Sequence, residues 1–235
     1  MPAKNIVKQY VKDGIYHIYN RGIEKRKIFL DDKDYKTFLH FLKLYLLDPE
    51  TFKSSQGVDH SKIERNNFSE EIELLTYCLM PNHFHLLLKQ KNKDSITRFM
   101  RCIATNYSMY FNKRYKRIGK LFQGAYKASL IKEDNYLLHL SKYIHLNPFK
   151  DLCQGDTLEG DIQGRFAKLT SYDYSSYEDY LGKKNTKWLK PDLILEFFKS
   201  QQRTSLNDVL SYQSFVEDYN KEDSKEIIGG LTLED

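Results

Sequence analysis

Residues 72–90 read Ile72-Glu73-Leu74-Leu75-Thr76-Tyr77-Cys78-Leu79-Met80-Pro81-Asn82-His83-Phe84-His85-Leu86-Leu87-Leu88-Lys89-Gln90, and this stretch decides the fold. An apolar run from Ile72 to Met80 meets a turn signal at Pro81-Asn82, and a second apolar run follows at once, which predicts a β-hairpin. Side chains of a strand alternate between faces, so His83, His85 and Leu87 share one side and Phe84, Leu86 and Leu88 the other. The two imidazoles therefore converge on one face of a sheet.

Working outward, Gly14 to Asn20 alternates as a first strand, with Ile15, His17 and Tyr19 against Tyr16 and Ile18, and Arg21-Gly22 turns the chain out of it. In that strand His17 reads as a packed residue without a function of its own. Asp31 or Asp32 can cap a helix running to about Leu47, whose buried stripe is Tyr35, Phe38, Leu39, Leu42 and Leu46. Residues 49–70 are polar and read as a long insertion containing His60. Ser95 is placed to cap a helix from Ile96 to about Tyr115, and Lys127–Ile131 reads as a fourth strand. From Asn135 to Leu146 the helical period returns: Leu137, Leu140 and Ile144 make the apolar stripe, Tyr136, His139, Tyr143 and Asn147 lie along its edge, and Pro148 is expected to stop the helix.

Strand, helix, strand, strand, helix, strand, helix is the order of a ferredoxin-like α+β sandwich with an antiparallel sheet. Beyond Phe166 the chain becomes acidic and Tyr-rich, and helices over Asp192–Phe198 and Leu206–Tyr219 give a mostly helical C-terminal extension. The expected division is a catalytic domain over 1–150 and the extension over 151–235, with Ile227–Asp235 loosely attached.

Charge divides at the same boundary. The net charge is +5, from 37 Lys+Arg and 32 Asp+Glu. Residues 1–150 hold 27 basic and 15 acidic side chains, or +12, which leaves −7 for the rest. A polyanionic partner for the first part follows. Between Lys89 and Lys127 there are 11 basic residues against the single acid Asp94, interleaved with Tyr107, Tyr110, Phe111, Tyr115, Phe122 and Tyr126. Rings on which bases stack and cations that follow a phosphate backbone suit single-stranded nucleic acid. Each of these lysines taken alone reads equally well as part of a solvated helix face. The three cysteines, Cys78, Cys102 and Cys153, have no C-x-x-C spacing and point to a reducing compartment, the cytoplasm, and no stretch is long and apolar enough to span a membrane.

Two neutral imidazoles and one amide or carboxylate oxygen can hold a divalent cation with positions left open for a phosphate oxygen. Asn147 can supply that oxygen, although an Asn before Pro148 also suits a helix end. A phenol has a pKa of about 10 and needs a nearby metal or base to act as a nucleophile. Tyr143, one turn before Asn147, stands where such help would be, although a tyrosine at a helix edge also suits packing.

Several stretches in correct order carry a resemblance. They are Tyr16-His17-Ile18-Tyr19-Asn20-Arg21-Gly22, Ile28-Phe29-Leu30-Asp31-Asp32, Tyr77 through Leu87, Gly119-Lys120-Leu121-Phe122-Gln123-Gly124, Tyr126-Lys127 and Ser141-Lys142-Tyr143-Ile144-His145-Leu146-Asn147-Pro148. Together they resemble the HUH single-tyrosine transposases, and within these most the REP-associated tyrosine transposases of bacteria. The chain departs from that pattern at Ala125, where a basic residue is usual, and in the polar run after Phe149.

The resemblance implies His83, His85 and Asn147 as metal ligands and Tyr143 as nucleophile, and the oxygen-rich remainder of the coordination sphere points to Mg²⁺ or Mn²⁺ over Zn²⁺. It implies a substrate of single-stranded DNA beside a hairpin such as a REP-like palindrome, cut through a 5′-phosphotyrosine and rejoined by a monomer or homodimer. Asn20, Arg21, Lys113, Arg114, Lys116, Arg117 and Lys127 are the expected nucleic-acid contacts. The rivals are a non-catalytic, hairpin-binding regulatory protein and a zinc hydrolase, the latter lacking a further ligand motif.

Overall fold

β1 (Ile15–Arg21) is an inner strand of the sheet, bonded to β3 (His83–Gln90) on one side and to β4 (Lys127–Ile131) on the other, and β2 (Ile72–Met80) completes the order β2-β3-β1-β4. Every neighbouring pair is antiparallel. This computed structural model describes residues 9–53, 67–152, 162–201 and 211–218. Most of the expected insertion, with His60, lies outside them, as do Cys153 and the last residues of the chain.

The alternation read from residues 83–88 is what the sheet uses. Phe84, Leu86 and Leu88 enter a core with Tyr16 and Ile18 of β1, Phe38 and Leu42 of α1 (Asp32–Leu46), and Phe99, Ile103 and Tyr107 of α3 (Ser95–Arg114). A short helix, α2 (Pro49–Lys53), follows α1. Leu87 faces the opposite way, into a second cluster with Leu137, Leu140 and Ile144 of α4 (Asp134–Leu152). Each such side chain, fully buried, stabilises the fold by about 1.5–3 kcal/mol, so both faces are fixed independently. A register slip of one residue would turn His83 and His85 into the α1 and α3 core.

Asp31 caps α1 as expected, its Oδ1 accepting from the Asp34 amide at 3.2 Å. Ser95 does not cap α3. It lies inside the first turn, where its hydroxyl donates to Glu71 Oε2 at 2.6 Å, and the Gln90 side chain supplies the missing acceptor to the Ile96 amide at 3.2 Å. Gln90 ends β3, so a strand residue does the work assigned to a local cap.

The helix carrying Tyr143 does not stop at Pro148 but runs to Leu152. Proline removes the amide that would bond the Ile144 carbonyl, a local penalty of about 3 kcal/mol. Tertiary packing opposes it: Phe149 lies on Phe166 with centroids 5.2 Å apart, and Pro148 itself is buried.

α5 (Ile162–Thr170), α6 (Tyr177–Tyr180), α7 (Asp192–Gln201) and α8 (Tyr212–Glu217) form the helical C-terminal part. The expected Leu206–Tyr219 helix is shorter, and residues 202–210 lie outside the described ones. This part covers the outer edge of β2: the Leu79 amide donates to the Tyr174 carbonyl at 2.9 Å, Ser176 to Tyr77 at 3.0 Å, and Lys190 to Leu74 at 2.8 Å. An uncovered edge strand would offer the same groups to another chain. Phe166, Leu169, Tyr177, Ile194 and Tyr212 join the cluster that holds α4.

His145 fastens this packing. It is fully buried, and burial pushes its pKa down to about 3. Nδ1 meets Tyr212 Oη at 2.7 Å and Nε2 meets Ser176 Oγ at 2.8 Å. His145→Ala removes one hydrogen bond from each partner and opens a cavity, and should cost about 2–4 kcal/mol. Urea unfolding will measure that loss, with faster proteolysis after residue 162 as a second readout.

Candidate active site

The hairpin turn that precedes His83 is held from outside. Gly22 donates its amide to the Asn82 carbonyl at 2.8 Å, and Ile28 and Phe29 donate to the Pro81 carbonyl at 2.8 and 3.0 Å. A Cβ on Gly22 would run into the backbone carbonyl of Arg26, so only glycine lets these two loops close. The loop after β1 thereby sets the start of β3 and the attitude of His83.

On the face toward α4, His83 and His85 have ring centroids 5.0 Å apart at 87°, and the ring of Tyr143 stands 5.8 Å from His85, edge to face. Asn147 Oδ1 lies 3.3 Å from His83 Nε2. Residues sixty positions apart in the chain are thus brought together: His83, His85, Tyr143 and Asn147 surround one small volume between β3 and α4.

Hydrogen bonds around this volume orient the polar atoms. The Asn82 amide nitrogen donates to the Lys25 carbonyl at 3.4 Å, which leaves Asn82 Oδ1 to accept from His83 Nδ1 at 2.6 Å. A neutral His83 then has its lone pair on Nε2. The Asn147 amide nitrogen donates to the Tyr143 carbonyl at 3.1 Å, so Asn147 presents its oxygen. Asn147 Oδ1 and His83 Nε2 therefore face each other at 3.3 Å, close enough for a proton or a cation to join them.

His85 adds a third atom of the same kind. Its Nδ1 pairs with His17 Nε2 at 2.8 Å, and its Nε2 is buried with no hydrogen-bond partner. Burial first, then the charges of His83 and His17, hold His85 well below the ordinary histidine range, and burial takes His17 to about 3. Both rings are neutral at pH 7, the form that ligates metals. An unpartnered buried imidazole nitrogen, a second imidazole lone pair and an amide oxygen fit a divalent cation with open positions. Among the described residues no group of three or more His, Cys, Asp and Glu side chains could hold a metal, and Asn147 Oδ1 is an amide oxygen within 3.3 Å of His83 Nε2.

The residues expected to contact nucleic acid divide by their surroundings. Lys113 and Lys116 are exposed near the tip that follows α3, where Ile118 is 99% exposed. Arg117 lies over the Phe111 ring and donates to Asn112 Oδ1 at 3.0 Å, and Lys127 stands 5.7 Å above the ring of Tyr19. Arg21 donates to the Gln123 side chain. Asn20 is 7% exposed and ties β1 to the Gly119–Gly124 loop by donating to the Gly124 carbonyl at 3.1 Å. Arg114 is engaged differently: its guanidinium joins Asp31 and Asp34, and those carboxylates raise its pKa further.

His17 is the residue that sequence reasoning passed over. The signal was present, because β1 carries a histidine on the same alternation as Tyr19, but which strand neighbours which is not written in either strand. Only the register that pairs His17 with Leu87, two residues along from Tyr19 with His85, puts the two imidazoles in contact.

No curated protein sequence matches the chain. Among solved structures it is similar to a REP-associated tyrosine transposase bound to a REP hairpin, at 15% identity over 80% of this chain and 92% of that one, with a TM-score of 0.49. It is also similar to a protein of Deinococcus radiodurans R1 provisionally named a transposase, at 16% identity over 61% of this chain and 95% of that one, with a TM-score of 0.34. No helix among the described residues is long and apolar enough to cross a membrane. Over residues 56–147, the stretch that holds His83, His85, Tyr143 and Asn147, the chain matches the family described as IS200-like transposases.

Proposed function

We propose that this chain cleaves and rejoins single-stranded DNA beside hairpins, with a divalent cation on His83, His85 and Asn147 and with Tyr143 as nucleophile. The observation that carries the reading is the convergence of ligand-type atoms: His83 Nε2 and Asn147 Oδ1 at 3.3 Å, with the buried Nε2 of His85, which has no hydrogen-bond partner, beside the ring of Tyr143. When bound, the ion supplies positive charge that polarises a nonbridging phosphate oxygen, and an amide ligand with open positions for oxygen favours Mg²⁺ or Mn²⁺.

The remaining steps belong to the protein. Tyr143 Oη attacks phosphorus and gives up its proton to solvent, the bond from phosphorus to the 3′ oxygen breaks, and that oxygen leaves as a protonated 3′-hydroxyl. The 5′-phosphate stays on Tyr143. Attack by a 3′-hydroxyl reverses the sequence and rejoins a strand without a nucleotide cofactor, since one phosphodiester bond is exchanged for another of similar energy. Asn147 acts on the same turn of α4, its amide nitrogen held by the Tyr143 carbonyl, so nucleophile and ligand move as one body. Lys113, Lys116, Arg117 and Lys127 supply charge along the strand. Residues 1–150 are the catalytic domain of this reading, and 151–235 the extension that braces α4.

A hairpin oligonucleotide labelled at one end tests the proposal. Cleavage should vanish with excess EDTA and return with Mg²⁺ or Mn²⁺, while binding of the hairpin survives chelation. A protein that binds the hairpin tightly yet leaves it whole under every divalent ion would be the regulatory DNA-binding protein instead.

A further inference from the structure

Neutral imidazole carries one N–H, and the 2.8 Å contact between His85 Nδ1 and His17 Nε2 needs a proton on one of the two atoms. If His17 holds it, His85 must carry its own proton on Nε2, aimed at the site, and cannot ligate. If His85 Nδ1 holds it, His85 Nε2 is a lone pair. The choice falls to what surrounds the far side of His17. There Nδ1 of His17 and Oγ of Ser129 are both buried without a hydrogen-bond partner, and the two residues are paired across β1 and β4 with side chains on one face of the sheet. The two atoms do not bond each other, so the far side of His17 leaves the proton free to sit where the site needs it: on Nδ1 of His85, with Nε2 of His17 as its acceptor and Nε2 of His85 as the lone pair. His85 is then the donor and His17 the acceptor of the contact between β3 and β1.

We propose that His17 is a positioning residue of the metal site, accepting the Nδ1 proton of His85 and so turning the bare Nε2 of His85 toward the cation. It touches neither cation nor DNA. The proposal rests on the metal-site reading above and assigns the tautomer and ring attitude of His85 to a residue of a different strand. The near-parallel rings, 18° apart with centroids at 5.0 Å, restrict rotation of His85 as well. Metal-bound histidines characteristically have such an outer partner, and its loss typically lowers metal affinity about 10- to 100-fold.

The test uses the full chain without DNA. Nitrogen-15 correlation spectra of the metal-free protein should show His85 protonated on Nδ1 and bare on Nε2, and a proton on Nε2 would overturn the proposal. Mn²⁺ affinity, read by electron paramagnetic resonance, should fall about 10- to 100-fold in His17→Leu. In His17→Gln, whose side-chain oxygen can accept from His85 Nδ1, it should stay within a few-fold of the wild type. Equal affinity in all three proteins at matched thermal stability would sink the positioning role. If the wild type bound no Mn²⁺ at all, the metal-site reading would fall first and this proposal with it. Cleavage that persisted in a His17→Leu protein with weakened Mn²⁺ binding, at saturating metal, would support it, because a positioning residue is compensated by mass action.

Discussion

Tyr143→Phe will cut no hairpin oligonucleotide at a measurable rate while binding it nearly as tightly as the wild type. The substitution removes one oxygen from a half-buried ring whose centroid lies 5.8 Å from His85, and leaves the ring to pack as before. Loss of the nucleophile in a covalent mechanism costs on the order of 10⁴-fold or more in turnover. The covalent product gives an independent readout, since a labelled 5′-phosphate should migrate with the wild-type protein on a denaturing gel and not with the variant. Cleavage by the variant at the wild-type rate would mean that water or another residue attacks phosphorus. The alternative of a water-using hydrolase would then gain the ground that Tyr143 lost.

Asp34→Ala should be the most destabilising single change among the polar residues of the α1–α3 face. Asp34 is fully buried and accepts from the Leu30 amide at 2.8 Å, Tyr110 Oη at 3.0 Å, Tyr115 Oη at 2.8 Å and the Arg114 guanidinium at 2.7 Å. Removing the carboxylate leaves these donors without their shared acceptor at a fully buried position. Leaving a buried donor without an acceptor costs about 1–3 kcal/mol for each, a large part of the stability of an ordinary domain. The urea midpoint measures it. An Asp34→Ala protein that unfolds like the wild type would show that the Arg114 pairing with Asp31 is sufficient to join the start of α1 to the end of α3. The same cluster explains why Arg114 is a weaker candidate for DNA contact than Lys113 or Lys116: its charge already meets two carboxylates.

The parts of the fold that were legible share a property. The hairpin, the faces of β3, the Leu137-Leu140-Ile144 stripe and the Asp31 cap each follow from residues a few positions apart, where backbone geometry imposes a period or a capping distance. The misread parts depend on contacts that no local window contains. Pro148 reads as a stop until Phe149 finds Phe166, and Ser95 reads as a cap until Gln90 and Glu71 take the two ends of that role. Even for the candidate site the division holds. The spacing of His83, His85, Tyr143 and Asn147 proposes a cluster, while the partners that hold the His83 and His85 rings, Asn82 with Lys25 behind it and His17, come from other parts of the fold.

From its order of residues alone, this chain determined which side chains share a face of each strand and helix, because alternation and the helical turn are properties of the backbone itself. It also determined that the first 150 residues carry the positive charge. Tertiary structure decided which strands are neighbours, and therefore that a histidine of β1 would touch one of β3 and that the acidic C-terminal part would seal β2. Pairing of distant segments is chosen by the burial of both sheet faces at once, a condition that no segment can satisfy by itself.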